Sequence, residues 1–258
     1  MSRRFCCVKK LWFLCATSLL AASLLFVAAL SFAGGAKDKN ARNATDRSPA
    51  IVIGFVGGFV RADNEAFGTV RLANRLRREY ASGVAVRVFE NHHEARARRE
   101  VLRLLDGDGD GSLSAAEKRN ARIIIYGHSW GASETVRLAQ QLERRGIPVL
   151  LTVQVDSVPK PGENGAVIPS NVGEAANFFQ PDGVIHGISR IRAADPAATD
   201  IIGNFRFDYK QHPLSCANYP WQDRVLMKTH MEIDCDPRVW SEVESLIRSK
   251  LPEEMQGQ

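Results

Sequence analysis

The sequence predicts an α/β fold in which a mostly parallel sheet is flanked by helices. Three observations lead there. Short, continuous apolar runs such as Ala50-Ile51-Val52-Ile53-Gly54-Phe55-Val56 and Ile123-Ile124-Ile125-Tyr126 have the length and composition of strands buried on both faces. Between such runs lie segments whose apolar residues recur at helical spacing. The two kinds of segment alternate, and alternation requires crossover connections and therefore parallel pairing.

The first 33 residues stand apart from this pattern. Arg3, Arg4, Lys9 and Lys10 precede an uncharged run from Leu11 to Leu30, and Ser31-Phe32-Ala33 supplies small residues for a signal peptidase. The segment reads as a secretory signal. Its 20 uncharged residues also suffice to span a bilayer, so an uncleaved N-terminal membrane anchor is the alternative. Either way the remaining chain is expected to be exported, periplasmic or secreted. Four basic and no acidic residues fall in this segment, so the formal charge of +5 drops to +1 for the rest. A near-neutral domain lacks the concentrated basic face that nucleic acid requires, and no nucleic-acid partner is expected. Residues 34–48 are small, polar and charged and read as a flexible linker; 49–252 form one domain. Cys216 and Cys235 are the cysteines left outside the targeting segment, and export makes a disulfide between them the expectation. No cysteine or histidine cluster of zinc-binding spacing is read, which argues against a zinc site.

Within the domain the first strand is Ala50–Val56. Asp63 is placed as the cap of a helix reaching about Tyr80, with Phe67, Val70, Ala73, Leu76 and Tyr80 along one side. Val84–Phe89 is a second strand, and a helix covers roughly Glu94–Leu105. The strand at Ile123–Tyr126 and a helix over Ala132–Arg145, stopped by Gly146, follow. Val149–Val155 and Ile201–Phe207 are further strands, with an irregular stretch, Pro159–Thr199, between them. Pro237 after Asp236 opens a last helix with Val239, Trp240, Val243, Leu246 and Ile247 inward.

Between the third strand and its helix stands Gly127-His128-Ser129-Trp130-Gly131. Gly-x-Ser-x-Gly in a strand–turn–helix context allows a sharp turn that lifts the serine hydroxyl toward a base. A serine hydroxyl needs such a base, usually histidine, and a carboxylate to fix that histidine's tautomer. His230 lies late in the chain and is the preferred base, with His212 as competitor; His128 sits within the turn motif and is read as packing beside it, and His92, His93 and His186 lie in the wrong order or region. Asp156 ends the strand after the nucleophile helix and is preferred as the acid; Asp208 is the alternative. Backbone N–H groups of Trp130 and of the Gly57-Gly58-Phe59 turn, at Gly58 and Phe59, are the candidate oxyanion donors.

With these residues in place, the chain resembles the α/β-hydrolase superfamily of serine esterases, lipases and thioesterases, over about residues 49–250. The carrying features are the pentapeptide around Ser129, Gly57-Gly58 after the first strand, and the strand–helix order. An acid on the strand after the nucleophile helix is similar to the small cutinase-like or lipase-like members. The resemblance implies hydrolysis of a small-molecule or lipid ester through an acyl-enzyme. It departs at Ala132, where many members carry another glycine. Phe178, Phe179, Tyr209, Tyr219 and Trp221 are candidates for an acyl groove, although loop aromatics more often pack locally.

A second motif lies just upstream. Asp106-Gly107-Asp108-Gly109-Asp110-Gly111-Ser112-Leu113-Ser114-Ala115-Ala116-Glu117 matches the 12-residue EF-hand calcium loop at its defining positions. Asp106, Asp108 and Asp110 would give side-chain oxygens, Ser112 its carbonyl, Ser114 a water-mediated contact and Glu117 both oxygens. Its outgoing helix has room only for about Ser114–Arg119, and no second loop pairs with it. The combined expectation is an exported, Ca2+-binding serine hydrolase. The alternative is a non-catalytic calcium-binding envelope protein on the same scaffold.

Overall fold

The computed structural model describes residues 49–251. The expected signal or anchor, the linker at 34–48 and residue 252 lie outside the described residues. The elements are β1 (Ala50–Val56), α1 (Gly68–Glu79), β2 (Val84–Glu90), α2 (Glu94–Leu105), α3 (Ala115–Arg119), β3 (Ile123–His128), α4 (Trp130–Glu143), β4 (Val149–Val155), β5 (Val167–Ile168), β6 (Val172–Phe179), β7 (Arg192–Ala193), β8 (Asp200–Arg206), α5 (Trp221–Leu226), α6 (Lys228–Cys235) and α7 (Pro237–Arg248). Six strands form one sheet in the order β2-β1-β3-β4-β6-β8, and every pairing is parallel. The expected α/β fold is the observed one.

Why the central strands read as unbroken apolar runs is now explicit. Every residue of β1 and of β3 is buried. One face of the sheet, with Val52, Ile124, Tyr126 and Val153, packs on Leu72, Ala73 and Leu76 of α1 and on Val239, Trp240, Val243 and Ile247 of α7. The other, with Ile51, Ile53, Ile123 and Ile125, packs on Ala97 and Val101 of α2 and on Val136, Leu138 and Leu142 of α4. Burying each such isoleucine is worth roughly 1.5–3 kcal/mol, which alternation with polar residues would forfeit on one face. Among the described residues no helix is long and apolar enough to cross a membrane.

Several expectations shift. α1 starts at Gly68, not at Asp63; Phe67 occupies the cap position, and Asp63 is exposed and paired with Arg61. The reason is packing: a Cβ on Gly68 would lie 1.9 Å from Trp240 Nε1, so the helix begins where glycine admits the Trp240 ring. The stretch expected to be irregular contains β6, a full sheet strand, and the small β5–β7 pair whose Ile168 covers the α4 face of the sheet. The last predicted strand sits one residue earlier, at Asp200–Arg206.

The sheet order sets where the turns after β1 and β3 meet. From β1 the chain passes to β2 on one side, then returns to β3 on the other. At this reversal the turns after β1 and β3 leave the sheet side by side at the carboxyl ends of those strands, the place where such sheets bind ligands. Gly57 and Ser129 lie there.

Candidate active site

Ser129 joins β3 to α4 with φ 59° and ψ −126°. For a residue with a side chain this backbone costs on the order of 1–3 kcal/mol and persists only if its surroundings hold it. They do. The Ser129 N–H donates to Val155 O at 2.9 Å, and its carbonyl accepts from Ala132 N at 3.0 Å and Val158 N at 3.2 Å. The two motif glycines are dictated by close backbone approach: a Cβ on Gly127 would lie 2.5 Å from Gly131 O, and one on Gly131 would lie 2.2 Å from Phe55 O. Gly57 is pressed as tightly, since a Cβ there would meet Ser129 Cβ at 2.7 Å.

His230 reaches this serine from α6. Its Nε2 is 2.8 Å from Ser129 Oγ and its Nδ1 is 2.7 Å from Asp156 Oδ2. The carboxylate can only accept at Nδ1, so Nδ1 carries the proton and Nε2 is free to accept from the hydroxyl. All three residues are buried, Ser129 the least at 9% exposed. Asp156 has φ 44° and is held from four directions. Besides His230, its carboxylate accepts from Gln180 N at 3.2 Å, Gln180 Nε2 at 2.9 Å and Gly187 N at 2.7 Å. Asp208, the alternative acid, instead accepts from its own turn, Lys210 N and Gln211 N, and lies 3.7 Å from Arg206. The competitor His212 is exposed, and so is His186.

Sequence reasoning did not find the residues that hold this trio. Gln180, at the end of the unforeseen β6, and Gly187 clamp Asp156. Buried Asn91 donates from Nδ2 to the Gly58 carbonyl. Because the peptide is planar and trans, pinning that carbonyl toward Asn91 turns the Phe59 N–H the opposite way. The Asn91 carbonyl in turn accepts from Lys160 Nζ at 2.9 Å, whose ammonium meets Glu134 Oε1 at 2.5 Å. Among the described residues nothing accepts from the N–H groups of Trp130, Gly58 or Phe59. The Phe59 ring is exposed and stands edge-on to Trp130 at 5.9 Å.

His128 packs beside the trio, its ring centroid 4.7 Å from that of His230 and its Nδ1 3.7 Å from Asp234 Oδ1. Burial pushes its pKa below the ordinary histidine range; Asp234 opposes that shift and His230 adds to it. His128 is therefore neutral near pH 7. The candidate acyl-groove aromatics divide. Phe178, Tyr209 and Tyr219 are buried packing residues, Phe179 is half-buried, and Trp221 is exposed with Val225 and Leu226 on α5. A cavity of about 500 Å³ is lined by Arg71, Arg75, Tyr219, Trp240 and Glu244 and by neither Ser129 nor His230, so it is separate from the trio.

Cys216 and Cys235 form a disulfide, Cα to Cα 5.9 Å, across 19 residues that include α5 and nearly all of α6. It ties the helix carrying His230 to the preceding loop.

The acidic loop gathers part of its expected set. Carboxylate oxygens of Asp106, Asp108 and Glu117 lie within 4.8 Å of one another. Gly109 and Gly111 take φ 71° and 83°, giving the turn its sharpness. Leu113 packs against the apolar cluster beneath α2. Asp110 is not drawn into the group: its Oδ1 accepts from the N–H and hydroxyl of Ser112. Ser114 caps α3 and donates its N–H and hydroxyl to Glu117 Oε2, each at 2.8 Å. Hard carboxylate oxygens on a glycine-turned loop fit Ca2+.

Chemically, the arrangement at Ser129 can move a proton from a hydroxyl to an imidazole while a buried carboxylate steadies the resulting charge. No family model matches the chain, and no curated protein matches it. Solved structures with similarity include a protein of Agrobacterium vitis S4 named as a hydrolase (13% identity, TM-score 0.43, 80% of this chain and 91% of that one). A cutinase-like protein from Cryptococcus sp. shares 16% identity at TM-score 0.39, over 78% and 94% of the two chains. Human thioesterase 2 shares 9% at 0.39, over 81% and 99%. The fold assignment rests on this chain's own strand order.

Proposed function

We propose that this protein is a serine hydrolase that cleaves carboxylic esters or thioesters through an acyl-enzyme. The observation carrying this reading is the hydrogen-bonded chain Ser129–His230–Asp156, built on a strained turn at the carboxyl end of β3. Ser129 Oγ attacks the acyl carbon as His230 Nε2 takes its proton. Asp156 holds the ring and stabilises the imidazolium. The oxyanion is received by the N–H of Trp130 together with an N–H of the turn at Gly58 or Phe59. One such donor is typically worth about 2.7–4 kcal/mol of barrier. His230 then protonates the leaving alcohol or thiol, and a water, activated by the same histidine, releases the acid. His128, kept neutral, adds no like charge beside the imidazolium.

The substrate class that suits this site is a small-molecule or lipid ester. The exposed Phe59 and Trp221 offer apolar contact, Phe59 edge-on to Trp130. The basic, uncharged-core N-terminal segment supports export, by a cleaved signal or a retained anchor, and the Cys216–Cys235 disulfide accords with an oxidising compartment. Asp106, Asp108 and Glu117 would hold Ca2+ as a structural clip; three residues, Asn120 to Arg122, separate α3 from β3 and so link the clip to the nucleophile strand.

Labelling with a fluorophosphonate probe tests the proposal. Wild type with calcium present should label, and Ser129→Ala should not. A wild type that stays unlabelled would overturn the catalytic reading and leave the non-catalytic calcium-binding protein. A chain-length series of nitrophenyl esters then ranks acyl preference.

A further inference from the structure

A second cluster of metal-ligating side chains lies at the carboxyl end of β2, formed by Glu90, His92 and His93. One ligand atom from each lies within 4.8 Å of the others. The backbone fixes this closeness. The His93 N–H donates to Glu90 O at 2.9 Å, closing a turn that folds the three side chains together, and the His93 carbonyl then accepts from Arg96 and Ala97 as α2 begins. The two imidazole centroids are 4.2 Å apart. Glu90 Oε2 abuts His93 Nδ1, which brings a carboxylate oxygen and an imidazole nitrogen together at one point. The other Glu90 oxygen accepts from Ala62 N at 3.3 Å, which orients the carboxylate as an outer contact orients a metal ligand.

We propose that Glu90, His92 and His93 form a binding site for a borderline divalent cation of the zinc class. Two imidazoles and one carboxylate suit Zn2+ or Co2+ and differ from the all-oxygen set of the acidic loop. Three ligands leave one position for water, and exposed His92 leaves the site open to solvent. The proposal runs against the sequence reading, which found no cluster of zinc-type spacing; here a strand end followed by a tight turn brings the three side chains together. The site stands whether or not Ser129 is a nucleophile.

The test is a titration of the full chain with Co2+ and Zn2+, in saturating calcium so that the acidic loop is occupied. The expected result is one equivalent of Zn2+ by calorimetry and visible d–d absorption with Co2+. His92→Ala, at an exposed position, and the double variant His92→Ala/His93→Ala should each bind about tenfold more weakly or worse. Asp106→Asn and His212→Ala should bind as wild type does. No cobalt absorption in wild type, or equal zinc affinity in the double histidine variant, would overturn the proposal.

Discussion

His128 sits inside the serine motif, yet its proposed role is to stay uncharged. Its pKa is held down chiefly by burial, so the folded protein resists the proton that the unfolded chain accepts near pH 6.5. As pH falls below that value the unfolded state binds the extra proton first, and stability is lost until the folded pKa is also passed. Calorimetric Tm should therefore decline between pH 7 and pH 5, and less steeply in His128→Gln. Parallel declines would remove His128 as the source. That Ser129, His230 and Asp156 come together was legible because the proposed chemistry asks for those residue types in that chain order. Asn91, Gln180 and Gly187 were not. Each acts through one or two hydrogen bonds to backbone or carboxylate, and nothing in a lone asparagine, glutamine or glycine announces the partner it will meet.

Elements were legible in proportion to how simply they are buried. β1, β3 and β4 are covered on both sides, so each carries an unbroken apolar run of three residues or more. β6 carries Gly173, Glu174 and Asn177, and its polar Asn177 is buried against the Ile188 carbonyl and Asn204, so it did not read as a strand. α6 is harder still. It buries His230, Glu232 and Asp234, whose partners lie in distant segments, so no apolar period marks it. Its placement relies in part on the covalent link from Cys235 to Cys216. Closing a loop of 19 residues removes unfolded-state entropy worth about 3 kcal/mol. The double variant Cys216→Ser/Cys235→Ser should lose about that much in urea denaturation, and ester turnover should fall as His230 loosens. An unchanged midpoint would show that the small apolar cluster of Phe67, Tyr219 and Met231 suffices to dock α6.

At the scale of the molecule, the sheet reversal brings the turns after β1 and β3 together, and the proposed calcium clip enters the same sheet through β3. A ligand that binds only the folded state stabilises it by about 2.7 kcal/mol at a hundredfold excess over Kd. For a domain of this size that corresponds to roughly 5–10 °C in Tm. Excess chelator should lower Tm by that order and slow probe labelling at Ser129, and Glu117→Gln should abolish the calcium response of both. A Tm indifferent to chelator would sink the structural role of the ion. The overall α/β architecture was legible because alternation of strand and helix is a global pattern that survives local errors of boundary.

The separation of the trio along the chain has a further consequence. His230 follows Asp156 by 74 residues and Ser129 by 101. Synthesis proceeds from the N-terminus, so the serine turn and its acid emerge long before their base. A nascent chain halted before Lys228 carries the hydroxyl in place but has nothing to take its proton. Under the proposed mechanism, completion of translation is then itself the step that arms the enzyme.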